Sequence, residues 1–160
     1  MGGIDDHIID QIEHSLRNYN LRDIKKISQI DTVLASFTLC SCFIEQMSGF
    51  RYANVKHKTG RIMFENFVRD YLGMYDAEKL RNDLRNKLVH NYSLGDTYSL
   101  TMGAPNDHLQ IDKYGRLILN LENFISDLEN AFNSWISELR TDNEIRSNAL
   151  IWYEQYKILG

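Results

Sequence analysis

The chain has 160 residues, 18 basic against 22 acidic side chains, a formal net charge of −4 and a single proline. That length supports one domain, spanning 1–160, with a core of its own and no need for covalent or metal staples. The acidic balance argues against a generic nucleic-acid coat, and one proline in the whole chain favours long uninterrupted helices.

The N-terminus, MGGIDDHIID, is acidic and does not read as a signal or transit peptide. Ile4, Ile8, Ile12 and Leu16 recur every four residues and predict a first helix ending near Asn18–Asn20. His7 and His14 share one of its faces, but no carboxylate or cysteine spacing completes a metal site. Leu21, Ile24, Ile27 and Ile30 continue at spacing three and lead into Val33, Leu34, Phe37, Cys40, Ile44 and Met47. This predicts a short helix and then a long one, broken near Ser28–Asp31. The long helix is apolar on most sides and belongs at the centre. Its most apolar run, Val33 to Ile44, contains serines and a threonine and is too short to span a bilayer. Cys40 and Cys42 point to opposite sides and read as reduced core thiols, so the expectation is a cytoplasmic protein without membrane, metal or cofactor.

Residues 51–60, RYANVKHKTG, read as a basic loop, in which Lys56 and Lys58 are candidate nucleic-acid contacts. Met63, Phe64, Phe67, Val68 and Tyr71 form the next helical stripe, closed by Gly73 as a left-handed stop. Asp76 is an N-cap and Ala77, Leu80, Leu84 and Leu88 make one stripe, so 76–91 is a helix. From Ser93 to Asn120 the pattern alternates, with the turn-like APND and KYGR between short apolar runs. It predicts a small β-hairpin, or a three-stranded piece, inserted near 97–119. Leu121, Phe124, Leu128, Phe132, Trp135 and Leu139 then return to helical period. Thr141 and Glu144 read as a capping box for a last helix through Trp152 and Tyr156. The fold class is all-α: an up-and-down bundle of five to six helices carrying a small strand insertion.

The charge is uneven. Residues 51–90 hold nine Lys/Arg and five Asp/Glu, a balance of +4, while the remainder stands at −8. A basic segment in an acidic chain can steer a polyanion to one surface, although a solvated helix face would carry the same charges. Within this segment the stretch LRNKLVHNY stands out. With Leu84 at zero and about 100° per residue, Ala77, Leu80 and Leu88 fall within roughly 40° of it. On the same wheel Arg85, Val89, Asn82, Asn86 and His90 form an opposite arc at roughly 100° to 240°. An apolar residue among asparagines, an arginine and a histidine suggests a covered surface. Arg85 and His90 are still about 140° apart on a straight helix, so one copy makes a loose pair that a second chain can close.

The run R-N-K-L-V-H resembles the signature of the HEPN superfamily, an arginine followed by four to six residues and a histidine, with a polar residue after the arginine as Asn86 is. The resemblance implies an up-and-down helical bundle with the motif late in a helix. It also implies a homodimer acting as a metal-independent endoribonuclease, with Arg85, Asn86 and His90 as its catalytic set and RNA as its substrate. His90-Asn91-Tyr92 is similar to the H-x-Y extension of toxins paired with nucleotidyltransferase antitoxins, which implies Tyr92 as an adenylylation target and such an antitoxin as partner. The chemistry suits the residue types: imidazole exchanges protons near neutral pH, and guanidinium offers a planar fork to phosphate.

Other readings of the same residues stand beside this one. A histidine at a helix C-terminus caps carbonyls, Tyr92 falls near the leucine side if the helix continues, and Arg81 and Lys87 are solvated cations or backbone-phosphate contacts. Glu45, in the most apolar helix, either pairs with Arg81 or Arg85 or lies at the helix edge in water. A HEPN-like module that binds a nucleotide, a nucleic acid or a protein without cleaving anything is the alternative function.

Overall fold

A computed structural model describes residues 4–53 and 59–157. The chain opens with a continuous helical rod: α1 (Ile4–Ser15), a π-helical segment (Leu16–Leu21) and α2 (Arg22–Ile27). The rod does not stop at Asn18–Asn20. Leu16 and Leu21 are five residues apart and both fully buried. An α-helix would turn them about 140° from each other. A π turn, bonded i to i+5, keeps both on the core side. The break comes at 28–32, where the Thr32 hydroxyl donates to the Ile27 carbonyl at 2.9 Å.

The central α3 (Val33–Tyr52) packs against α4 (Gly60–Tyr71), α7 (Leu121–Thr141) and α8 (Asn143–Tyr156). Phe37, Cys40, Phe43, Ile44, Met47 and Phe50 are buried along it. Two of its buried hydroxyls bond back to their own helix, Ser41 to Phe37 O and Ser48 to Glu45 O, so burial leaves them satisfied. By length and composition α3 could cross a bilayer, with 20 residues and a mean hydropathy of 1.3; 56% of that apolar window is buried inside the bundle. A central core helix has the same character. Of the two cysteines, Cys40 is buried and Cys42 is exposed, so only one is a core thiol.

Aromatic side chains bind α3 to its neighbours. Phe37 meets Phe124 at a centroid distance of 5.4 Å, Phe43 meets Phe132 at 5.8 Å, and Phe50 meets both Trp135 and Trp152. Gly49 admits α8: a Cβ there would lie 2.3 Å from two ring carbons of Trp152.

Side-chain caps start the later helices. Thr59 accepts from Ile62 N before α4, Asp76 from Lys79 N before α5 (Ala77–Lys79), and Asn120 from Asn123 N before α7. Gly73 is not the left-handed stop that its position suggests; the only glycines at positive φ among the described residues are Gly103 and Gly115. The last helix starts from Asp142, whose carboxylate accepts from Glu144 N and Ile145 N. The Thr141 hydroxyl instead turns back to Ser137 O, so the expected Thr141–Glu144 box does not form.

The motif helix runs as α5, a second π segment (Leu80–Asn86) and α6 (Lys87–Asn91). The insertion that follows holds β1 (Tyr98–Thr101), a 3₁₀ turn (Pro105–Asp107) and β2 (Leu117–Asn120). The two strands are parallel, Tyr98 opposite Leu117 and Thr101 opposite Asn120, not the two arms of a hairpin. A hairpin exists, but between 109–111 and 117–118: Leu109 N–H donates to Ile118 O and Ile118 N–H to Gln110 O. Its turn is the KYGR stretch, with Gly115 at φ 79° and Asp112 accepting from Tyr114 N and Arg116 N. β1 reaches the far side of β2 because the chain reverses twice, once at APND and once at KYGR.

A half-buried polar hub joins this insertion to the bundle. His108 Nδ1 accepts from Asn120 N–H at 3.0 Å, while its Nε2 lies 2.9 Å from Tyr75 Oη, which donates to Asp127.

Candidate functional site

The second π segment shapes the face predicted to carry the site. Leu80, Leu84 and Leu88 remain fully buried on one side. On the other, Arg85 Nη1 comes within 3.3 Å of His90 Nε2. Arg85 lies at the end of the π segment and His90 in α6, and the reach of the guanidinium spans the gap between them. A second chain is not what brings Arg85 to His90: the pair, expected to be loose in one copy, meets within one chain.

The same Nη1 donates to Asn86 Oδ1 at 3.1 Å. Asn86 Nδ2 donates in turn to Asn82 Oδ1 at 3.4 Å, which also accepts from Arg81 Nη1 at 3.3 Å. The four-residue spacing of the two asparagines makes this ladder possible. Asn82 lay on the predicted arc, but its spacing alone assigned it no task.

Glu45 resolves its own ambiguity by doing both things considered for it. It sits at the edge of α3 with its side chain 41% exposed, and it accepts from Arg85 Nε at 3.1 Å and Nη2 at 2.5 Å. Both bonds fall on one oxygen, Oε2. The Arg85 side chain is only 16% exposed, so the pair is partly desolvated and its charge-assisted bonds are stronger than those of a surface pair. Cys42, one turn before Glu45, feels both charges. Partial desolvation at the foot of its exposed side chain first, and then Glu45, raise its thiol above the usual range, with Arg85 opposing.

Not every predicted residue joins the face. Lys87 is tied to Asp83 at 3.2 Å and lies against Gly95, facing the entry to the insertion. Asp83 is held below the usual carboxylate range, chiefly by the Thr97 hydroxyl, which donates to it at 2.6 Å, and further by Lys87. Lys56 and Lys58 lie outside the described residues. Tyr92 is 60% exposed: the helix ends at Asn91, and Tyr92 turns left-handed at φ 47°, with its N–H on Leu88 O. It does not pack with the leucines. Val89 is 37% exposed, an apolar side chain on the outer surface.

Two imidazoles elsewhere have no part in this face. His14 at the end of α1 bonds Asn18 of the first π segment, and His108 belongs to the half-buried hub. Among the described residues no group of three or more His, Cys, Asp or Glu side chains is placed to hold a metal ion. A separate groove of about 560 Å³ runs between the first π segment and α3, lined by Tyr19, Asn20, Leu39, Cys42 and Gln46 among others.

What the motif face can do follows from its groups. It offers an exposed imidazole for proton exchange, a guanidinium against that imidazole, two amides, and a second guanidinium at Arg81. Comparisons with family models, with curated proteins and with solved structures return no match.

Proposed function

We propose that the protein is a HEPN-type, metal-independent endoribonuclease that works as a homodimer, with Arg85, Asn86 and His90 of each chain at its active centre. The observation that carries this reading is the contact between Arg85 and His90, reinforced from α3 by Glu45. Cleaving RNA without metal requires a group that takes the 2′-OH proton and one that returns a proton to the leaving 5′-oxygen. It also requires positive charge beside the crowded phosphate. An exposed imidazole set among guanidinium and amide donors supplies these needs. The exposure of Val89 supports a covering second copy, since an apolar residue at the centre of a polar face gains from burial.

The exposed Tyr92 hydroxyl, two residues past His90, supports a toxin whose antitoxin modifies that tyrosine. A cytoplasmic setting accords with RNA as the target.

The engagement of Arg85 by Glu45 favours one other reading, a module that binds RNA or a partner without cutting it, because a guanidinium whose charge is already matched by a carboxylate stabilises a crowded phosphate less. The test is cleavage of a labelled RNA hairpin in EDTA by wild type, Arg85→Ala and His90→Ala. Loss of cleavage in both variants, with 2′,3′-cyclic phosphate ends from the wild type, is the expected result. A folded, dimeric wild type that leaves the hairpin intact would move the protein to the binding class.

A further inference from the structure

All of the chain's aspartates and glutamates lie within the described residues, which therefore hold every side-chain carboxylate that an arginine could pair with. Eight of the ten arginines form an ion pair with a carboxylate; Arg51 and Arg81 do not. Arg51 is spoken for, because its Nε donates to Tyr71 Oη, which donates to Glu138. Among the described residues Arg81 has only the 3.3 Å bond from Nη1 to its neighbour Asn82, and Nε and Nη2 have no acceptor there. It stands four residues before Arg85, joined to it through the asparagine ladder.

Arg85 is in the opposite condition. All three of its guanidinium nitrogens are bonded, Nε and Nη2 to Glu45 and Nη1 to Asn86 and His90. Its charge is matched by the Glu45 carboxylate. A phosphate arriving at Arg85 would have to displace that carboxylate, whereas one arriving at Nε and Nη2 of Arg81 has no carboxylate to displace. The bond to His90 has a further consequence. Arginine has only N–H donors, so Nε2 of His90 must be the acceptor, and the proton of the neutral ring sits on Nδ1.

We propose a division of labour on this face: Arg81 is the ligand for backbone phosphate, and Arg85, clamped by Glu45, is a positioning residue that holds the imidazole of His90 in its Nδ1–H tautomer. The division rests on the RNA reading given above and deepens it by assigning the phosphate contact to a residue outside the R-N-K-L-V-H stretch.

The experiment has two arms. In the first, a fluorescein-labelled 2′-O-methyl oligouridine, which cannot be cleaved at the 2′-position, is titrated by anisotropy over a range of salt. Each phosphate neutralised on a single strand contributes about 0.7 to the slope of log K against log salt. Arg81→Gln is expected to lower that slope by about 0.7, and Arg85→Gln to leave it unchanged. Glu45→Gln, which frees Arg85, is expected to steepen it. In the second arm, ¹⁵N spectra of the imidazoles above pH 8 report the His90 tautomer. The wild type and Arg81→Gln are expected to show Nδ1–H, and Arg85→Gln to move towards Nε2–H, the form favoured by imidazole in water. Should Arg85→Gln lose helical signal, Arg85→Lys, which keeps a charge for Glu45, takes its place.

A slope that falls in Arg85→Gln and holds in Arg81→Gln would overturn the assignment and make Arg85 the phosphate ligand. An unchanged tautomer in Arg85→Gln would overturn the positioning role. Absence of wild-type binding at low salt would remove the RNA reading and Arg81's role together. Binding with the expected slopes but no cleavage of ordinary RNA would uphold the division and remove only the nuclease chemistry.

Discussion

Gly49→Ala tests whether the helix that carries Glu45 is placed by its packing against α8. Two effects oppose each other. Alanine is favoured over glycine in a helix interior by about 1 kcal/mol. Against that, the new Cβ would stand 2.3 Å from two ring carbons of Trp152, where a relaxed carbon–carbon contact needs about 3.5–4.0 Å. Forcing a methyl group into such a contact typically costs about 1–3 kcal/mol, and the upper part of that range applies because the ring rather than a flexible chain end is struck. The clash therefore wins, with a net loss of about 1–2 kcal/mol. For a chain of this size that is a fall in Tm of roughly 2–8 °C. Thermal unfolding followed by circular dichroism would read it. In a Trp152→Ala background the clash is gone and only propensity remains, so adding Gly49→Ala there should stabilise. A rise in Tm from Gly49→Ala in the wild-type background would refute the reasoning, because it would mean that α8 does not seat its tryptophan on Gly49.

Three further outcomes follow from named atoms. Tyr92 holds a left-handed conformation that costs a non-glycine residue about 1 kcal/mol, so Tyr92→Gly should raise the urea midpoint while abolishing any modification at that position; a lower midpoint would show that the tyrosine ring has packing of its own. Asp142→Ala should destabilise by about 1 kcal/mol and Thr141→Ala by much less, since the aspartate carries the cap; equal losses in urea titrations would contradict this. Burial pushes the His108 imidazole below its ordinary range, with Asp127 pulling the other way, so the unfolded chain binds the extra proton first. Stability from this group is then complete above the unfolded value near 6.5 and is lost as pH falls below it, and replacing His108 with glutamine should flatten the dependence of stability on pH over that interval.

How much of this was legible in the sequence depends on which kind of information each feature needs. The helical stripes were, because burial of one face is written directly in residue spacing: Phe64, Phe67 and Val68, or Phe124 through Leu139, are buried as their period requires. The direction of β1 was not. Alternation marks which side of a strand faces the core, but it is the same for parallel and antiparallel neighbours. Gly73 had the right residue type in the right place, yet Leu72 ends α4 at φ −130° without asking a left-handed turn of the glycine. Asp142 was overlooked beside Thr141 because both are good cap residues and a one-residue shift separates them. The first π segment had left a trace: a five-residue step from Leu16 to Leu21 in a stripe otherwise spaced by fours and threes. Read as a helix boundary, it was a change of helical register.

At the motif, side-chain reach matters more than position on the wheel. A wheel built on α-helical angles separates Arg85 from His90, and that separation led to a second copy as the agent that unites them. Within one chain the reach of the Arg85 side chain unites them, and Glu45 braces the arrangement from the core helix. What a partner copy could add is therefore different: a cover for Val89, a second Arg81 across the twofold axis, and walls that keep water from the imidazole. None of these requires the partner to assemble the Arg85–His90 contact. The motif face is built from α3 and from the register of a single helix, and dimerisation would act on a pair already formed.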